Sequence, residues 1–225
     1  MSGEVRHIAT QVHGRYLVEA PAPLKQGQAC PLLVGFHGYG ETAEKHLGEL
    51  RKIPGANQWV LCAVQALHPF YNRTGEVIAG WMTRQDRELA IADNVAYVAG
   101  VVADLRKTLP ASDRLVFLGF SQGAAMAYRA ATGSGHRCHG VVVLGGDVPP
   151  ELEEGDLAAG FPPVLLGRGS SEEWYDAAKM EHDVELLRGK GVDVRPVVFT
   201  GGHEWTNEFR AAAGGFLREV FQAAS

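Results

Sequence analysis

Cysteine is scarce: the 225 residues hold three, Cys30, Cys62 and Cys138, odd in number and widely spaced. That usage excludes a disulfide framework and reads as reduced structural thiols of a cytosolic protein. Long apolar runs are missing too, and none reaches the roughly 18 residues of a transmembrane helix. The first residues, Met1-Ser2-Gly3-Glu4, have neither the apolar core of a secretion signal nor the Gly at position 2 that myristoylation needs. A cytoplasmic location without stable membrane insertion is the expectation. Basic charge is in deficit, with 21 Lys and Arg against 26 Asp and Glu for a net of −5. The clustered cations that nucleic acid requires are therefore absent. No Ser/Gly linker, composition shift or internal repeat divides the chain, so a single domain over 1–225 is expected.

Glycine, by contrast, is abundant: 28 of 225, about 12%, against a usual level of about 7%. Short apolar runs at 32–36, 59–64, 115–120, 141–144, 164–166 and 197–199 alternate with segments of helical period. This is the pattern of an α/β fold, a mostly parallel sheet covered by helices on both faces. Residues 12–19 alternate less regularly, as an antiparallel edge strand does. Val95, Val98, Val102, Leu105 and Leu109 step by three and four, as do Ala177, Met180, Val184 and Leu187, and then Trp205, Phe209, Ala212, Phe216 and Val220. Residues 65–86 and 147–163 read as long connections.

Many of the glycines lie at the predicted strand ends, where an open parallel sheet binds its ligands. The run ending at Leu118 enters Gly119-Phe120-Ser121-Gln122-Gly123 and then a helix start. Gly-x-Ser-x-Gly between strand and helix is a nucleophile elbow, in which the flanking positions must lack side chains. Capping of the helix by Ser121 is the other reading. A serine nucleophile needs a base, oriented by a third group. His203, after Gly201-Gly202 at the end of a late strand, is the first choice among nine histidines. For the acid, Asp147, Glu172 and Glu173 all follow suitable strands, and position alone leaves them open. The loop His37-Gly38-Tyr39-Gly40 can aim backbone amides at an oxyanion, with Tyr39 and Gln122 as donors. His37 and Gly38 of this loop are expected substrate contacts.

Rival motifs fail. Gly35 to Gly40 has phosphate-loop spacing, but Glu41 stands where Lys is required. His203-Glu204-Trp205-Thr206-Asn207 lacks the second histidine of a zinc site. No metal or cofactor is expected.

On His37-Gly38-Tyr39-Gly40, Gly119-Phe120-Ser121-Gln122-Gly123 and Gly201-Gly202-His203-Glu204, the chain resembles the phospholipase/carboxylesterase group of α/β hydrolases, which includes lysophospholipases and acyl-protein thioesterases. The resemblance covers nearly the whole chain. It implies an α/β-hydrolase fold and hydrolysis of a small-molecule ester or thioester, and it leaves dimerisation open. In that group the acid follows a pattern H-G-x-x-D, here occupied by Arg168-Gly169-Ser170-Ser171-Glu172, so the resemblance favours Glu172. Three departures stand out: Arg168 for His, Glu41 for Asp, and Glu172 for Asp. They keep a second reading in view, a hydrolase-fold protein that binds an acyl ligand with little turnover. Trp81 is similar to an aromatic segment lining the group's acyl channel.

Overall fold

The computed structural model describes residues 3–21, 29–155, 157 and 160–222. Met1 and Ser2, on which part of the N-terminal reading rests, lie outside them, as do positions 156, 158 and 159 of the 147–163 connection. In chain order the elements are β1 (Tyr16–Glu19), β2 (Cys30–Phe36), α1 (Ala43–Leu50), β3 (Val60–Val64), β4 (His68–Tyr71), β5 (Val77–Gly80), α2 (Arg87–Thr108), β6 (Ala111–Phe120), α3 (Gln122–Gly133), β7 (Gly140–Leu144), α4 (Pro150–Glu154), β8 (Val164–Gly169), α5 (Ala177–Gly189), β9 (Val194–Phe199) and α6 (Asn207–Gln222).

Seven strands form one sheet in the order β1-β3-β2-β6-β7-β8-β9. Only β1 runs antiparallel, against β3, as expected for the edge strand; the other pairings are parallel. The apolar runs are continuous because both faces are buried. Leu115 and Phe117 enter one core with α2, α3 and α5, while Val116, Leu118 and Phe120 enter the other with α1 and α6. Alternate side chains point to opposite faces, so a strand covered on both sides has no polar positions to spare.

Two expectations are corrected. The 65–86 connection contains a hairpin of its own, β4 with β5, and the 147–163 connection contains the short helix α4. The hairpin gave no signal because all four residues of β4 are exposed. Helix α1 was also unforeseen. It starts where Thr42 Oγ1 accepts from the Lys45 amide and Gln65 Oε1 accepts from the Ala43 amide, so half of its capping comes from a residue 22 positions away.

His46 of α1 is buried against the sheet with its ring edge toward Trp205, and neither ring nitrogen has a hydrogen-bond partner among the described residues. Burial, helped by nearby His37, pushes its pKa from 6.5 down to about 3. Below pH 6.5 the unfolded chain binds a proton that the folded chain refuses. His46 therefore leaves stability untouched above that pH and removes it progressively as pH falls toward 3, by about 2 kcal/mol at pH 5. Thermal melting from pH 7 to 5 should fall less steeply in His46→Leu than in the parent protein. Equal slopes would contradict this assignment.

Candidate active site

Strand β6 ends at Phe120 and α3 begins at Gln122, so Ser121 alone makes the turn. Its backbone takes φ 54 and ψ −122, a conformation that costs a non-glycine residue about 1–3 kcal/mol. Neighbours hold it there: the Ser121 amide donates to Leu144 O at 2.9 Å, and Ser121 O accepts from the Ala124 amide at 2.9 Å. The flanking glycines are sterically required. A Cβ on Gly119 would lie 2.1 Å from Gly123 O, and one on Gly123 would lie 2.1 Å from Phe36 O. The Ser121 hydroxyl makes no capping bond to α3, which leaves it available at the positive end of a 12-residue helix.

His203 arrives on the turn after β9 and stacks on Phe120, with centroids 4.9 Å apart. Its Nδ1 lies 2.6 Å from Glu172 Oε2. The side chain of Glu172 is 1% exposed, and its other oxygen accepts from the amides of Trp174 at 2.8 Å and Tyr175 at 3.4 Å. A carboxylate so deeply buried is tolerable only with such donors. Because an ionised carboxylate is purely an acceptor, Nδ1 carries the proton and Nε2 is left with its lone pair. The other two acid candidates make no bond to the imidazole among the described residues: Asp147, half-exposed on the cavity that His203 also lines, has Lys179 Nζ at 3.6 Å, and Glu173 is exposed. At Gly145, φ is +63, and a Cβ there would sit 3.0 Å from His203 Nδ1 and 3.4 Å from Glu172 Oε2.

The loop after β2 presents a second set of groups. The Gly38 amide donates to Glu41 Oε2 at 2.9 Å, the Gly40 amide to Ala79 O at 2.9 Å and the Glu41 amide to Gly38 O at 3.2 Å. Between them the Tyr39 amide makes no such bond among the described residues. The Gln122 amide is the first of α3 and has no carbonyl a turn behind it within the helix. These are the two N–H groups expected as oxyanion donors.

His37 and Trp81 are placed differently from the expectation that they contact substrate. Both are 0% exposed. The Ala66 amide donates to His37 Nε2 at 3.1 Å, so Nδ1 holds the proton and donates to Gly38 O at 2.7 Å. Burial lowers the pKa of this imidazole, favouring the neutral form that both bonds require. The Trp81 indole donates to His37 O at 2.8 Å. Both rings thus brace the loop from behind. A strand-end residue has the same sequence signature whether its ring faces in or out, which is why position could not separate the two roles.

Further supports carried no motif. Gln122 Oε1 accepts from the Trp81 amide at 2.8 Å, Gln122 Nε2 donates to Met82 O at 3.0 Å, and buried Asn94 donates to Trp81 O at 2.8 Å. Glu41, which read as the residue that spoils a phosphate loop, instead holds the Gly38 amide and pairs with Lys45.

Two cavities, of about 420 and 390 Å³, reach Ser121, Gly145, Asp147 and Trp174; the first also contains Tyr39, Tyr175 and His203. A larger cavity of about 890 Å³ lies between residues 12–15 and the β4–β5 hairpin and contains neither Ser121 nor His203. Of the three, only the two smaller cavities take in Ser121, and one of them takes in His203 as well. No helix among the described residues is long and apolar enough to cross a membrane.

Comparison with known proteins gives a concordant result. The fold is similar to that of esterase PE8 (24% identity, TM-score 0.71, 93% of this chain and 100% of that one). It is also similar to the Bacillus cereus carboxylesterase (17%, 0.74, 92% and 95%) and to a phospholipase/carboxylesterase from Dyadobacter fermentans (21%, 0.70, 93% and 99%). At these identities the likeness shows the α/β-hydrolase fold alone. No curated protein matches the sequence. The Phospholipase/Carboxylesterase family model, however, matches residues 23–221, which is nearly all of the chain. With that extent of match, the protein belongs to the phospholipase/carboxylesterase family of α/β hydrolases.

Proposed function

We propose that the protein is a serine hydrolase of carboxylic esters or thioesters that works through Ser121, His203 and Glu172 and an acyl-enzyme. The observation that carries this reading is the 2.6 Å contact of His203 Nδ1 with Glu172, made by a histidine that lines the same cavity as the strained Ser121. His203 Nε2 takes the hydroxyl proton as Ser121 Oγ bonds to the acyl carbon. The negative charge that develops on the carbonyl oxygen is received by the Tyr39 and Gln122 amides, and Glu172 stabilises the imidazolium. Collapse breaks the bond to the leaving oxygen or sulfur, which departs with the proton from His203. Water then attacks the acyl carbon, giving one proton to His203; the free acid leaves and Ser121 Oγ recovers that proton. Every step uses groups of this chain.

Cavities of about 420 and 390 Å³ lie at the small end of the 300–1,000 Å³ usual for ligand sites. They support small to medium acyl groups. The deciding experiment is a p-nitrophenyl ester series on purified protein. We expect a pre-steady-state burst of one nitrophenol per chain and a kcat/KM that peaks among the shorter acyl groups and falls for long chains. A flat response to chain length would contradict the size assignment, and an absence of turnover for the whole series would contradict the hydrolase reading.

A further inference from the structure

We propose that Asp183, on α5 and not itself lining the Ser121 cavity, is a positioning residue: its Oδ2 ties together two loops that line that cavity. The assignment rests on the reading of Ser121, His203 and Glu172 given above. Asp183 Oδ2 accepts from the Val148 amide at 2.9 Å and from the Tyr175 hydroxyl at 2.9 Å. Val148 belongs to the loop after β7, which carries Gly145 and Asp147. Tyr175 closes the loop after β8, which carries Glu172 and Trp174. Gly145, Asp147, Trp174 and Tyr175 all line the cavity that holds Ser121 and His203.

From Asp183 a continuous set of bonds leads to the imidazole. The Tyr175 hydroxyl is fixed by Asp183, the Tyr175 and Trp174 amides donate to Glu172 Oε1, and Glu172 Oε2 meets His203 Nδ1. The other bond, to Val148, sets the distance between the loops. The loop after β8 leads straight into α5, with Tyr175 eight residues before Asp183, but the loop after β7 is not held to Asp183 by chain connectivity, since Val148 lies 35 residues away in sequence. The carboxylate is 2% exposed. Burial pushes its pKa up to about 6 even though both donors act to lower it and nearby Asp147 raises it further. A buried charge of this kind costs stability unless its bonds are made. An apolar residue would fill the same layer, among Met180, Val184 and Leu187, without that cost, but it would leave both loops untied.

The test compares Asp183→Ala, Asp183→Asn and Tyr175→Phe at 25 °C, with folding checked by circular dichroism and thermal melting. Tyr175→Phe, which loosens only the acid loop, should lower kcat about 10-fold with KM little changed. Asp183→Ala, which frees both loops, should lower kcat about 10- to 100-fold and raise KM as well. Asp183→Asn should recover most of the rate, because its amide oxygen still accepts from both donors. A merely structural role would lower the melting temperature and leave kcat of the folded enzyme unchanged. Parent-like kcat and KM in folded Asp183→Ala and Tyr175→Phe would overturn the assignment. If Asp183→Ala does not fold, Tyr175→Phe, which loses a single oxygen, decides it alone. Ser121→Ala separates the two levels: turnover retained there removes the hydrolase reading itself, whereas an inert Ser121→Ala beside unaffected Asp183 and Tyr175 variants removes only this proposal.

Discussion

Ser121→Ala is expected to reduce ester turnover by roughly 10⁴- to 10⁶-fold while leaving a folded protein. The size of the loss follows from the chemistry: without Oγ no acyl-enzyme forms, and the amides of Tyr39 and Gln122 can only assist direct attack by water. Folding is retained because the turn is held by backbone bonds, Ser121 N–H to Leu144 O and Ala124 N–H to Ser121 O, and by the close approach of Gly119 and Gly123 to their neighbours. None of these involves the hydroxyl, and Ala adds no atom. Steady-state hydrolysis of p-nitrophenyl acetate, with melting temperature as the control, checks both parts. Turnover within about tenfold of the parent would remove Ser121 from the mechanism.

Glu172→Gln is expected to cost roughly 10³- to 10⁴-fold in kcat. The substitution keeps the size of the side chain, so the Trp174 and Tyr175 amides still find an acceptor. What changes is the partner of His203 Nδ1. The neutral amide no longer stabilises an imidazolium, and an amide nitrogen turned toward the ring would favour the tautomer with its proton on Nε2, where the base is needed. Glu173→Gln, at an exposed position, should be close to the parent, and Asp147→Asn should stay within about tenfold, since the half-exposed Asp147 has Lys179 at 3.6 Å and makes no bond to the imidazole. Equal losses in Asp147→Asn and Glu172→Gln would show that the 2.6 Å contact does not govern catalysis.

What could be read from the chain was whatever repeats a local rule. The strand cores were visible because β2, β3 and β7 are buried along their whole length, which forces unbroken apolar runs. The elbow was visible because Ser121 needs glycines two residues either side. Elements stabilised by distant partners were not visible. Helix α1 is only eight residues long and depends on Gln65 for part of its cap, and the β4–β5 hairpin pairs through its backbone with exposed side chains. Position alone narrowed the acid to three carboxylates, and only the resemblance favoured Glu172, because which of them meets His203 depends on how the turn after Gly169 folds back toward the turn carrying His203. The supports Glu41, Asn94 and Asp183 are single polar residues in otherwise ordinary segments. Each acquires its role only when the fold brings a backbone amide, carbonyl or hydroxyl to it.

The glycine excess is likewise a matter of place. Gly119 and Gly123 let β2, β6 and α3 approach one another closely around Ser121, and Gly145 keeps the space beside His203 and Glu172 free. At Gly119 and Gly123 the missing side chain is what counts, whereas Gly145, at φ +63, also needs the conformational freedom of glycine.

The most direct test is covalent. Diisopropyl fluorophosphate transfers its phosphoryl group to an activated serine with loss of fluoride, and the adduct can be located by peptide mass spectrometry. The expected result is one adduct per chain, on the peptide carrying Ser121, with esterase activity lost in proportion to labelling and no adduct in Ser121→Ala. Full activity with Ser121 quantitatively modified, or inactivation by an adduct elsewhere with Ser121 untouched, would contradict the account.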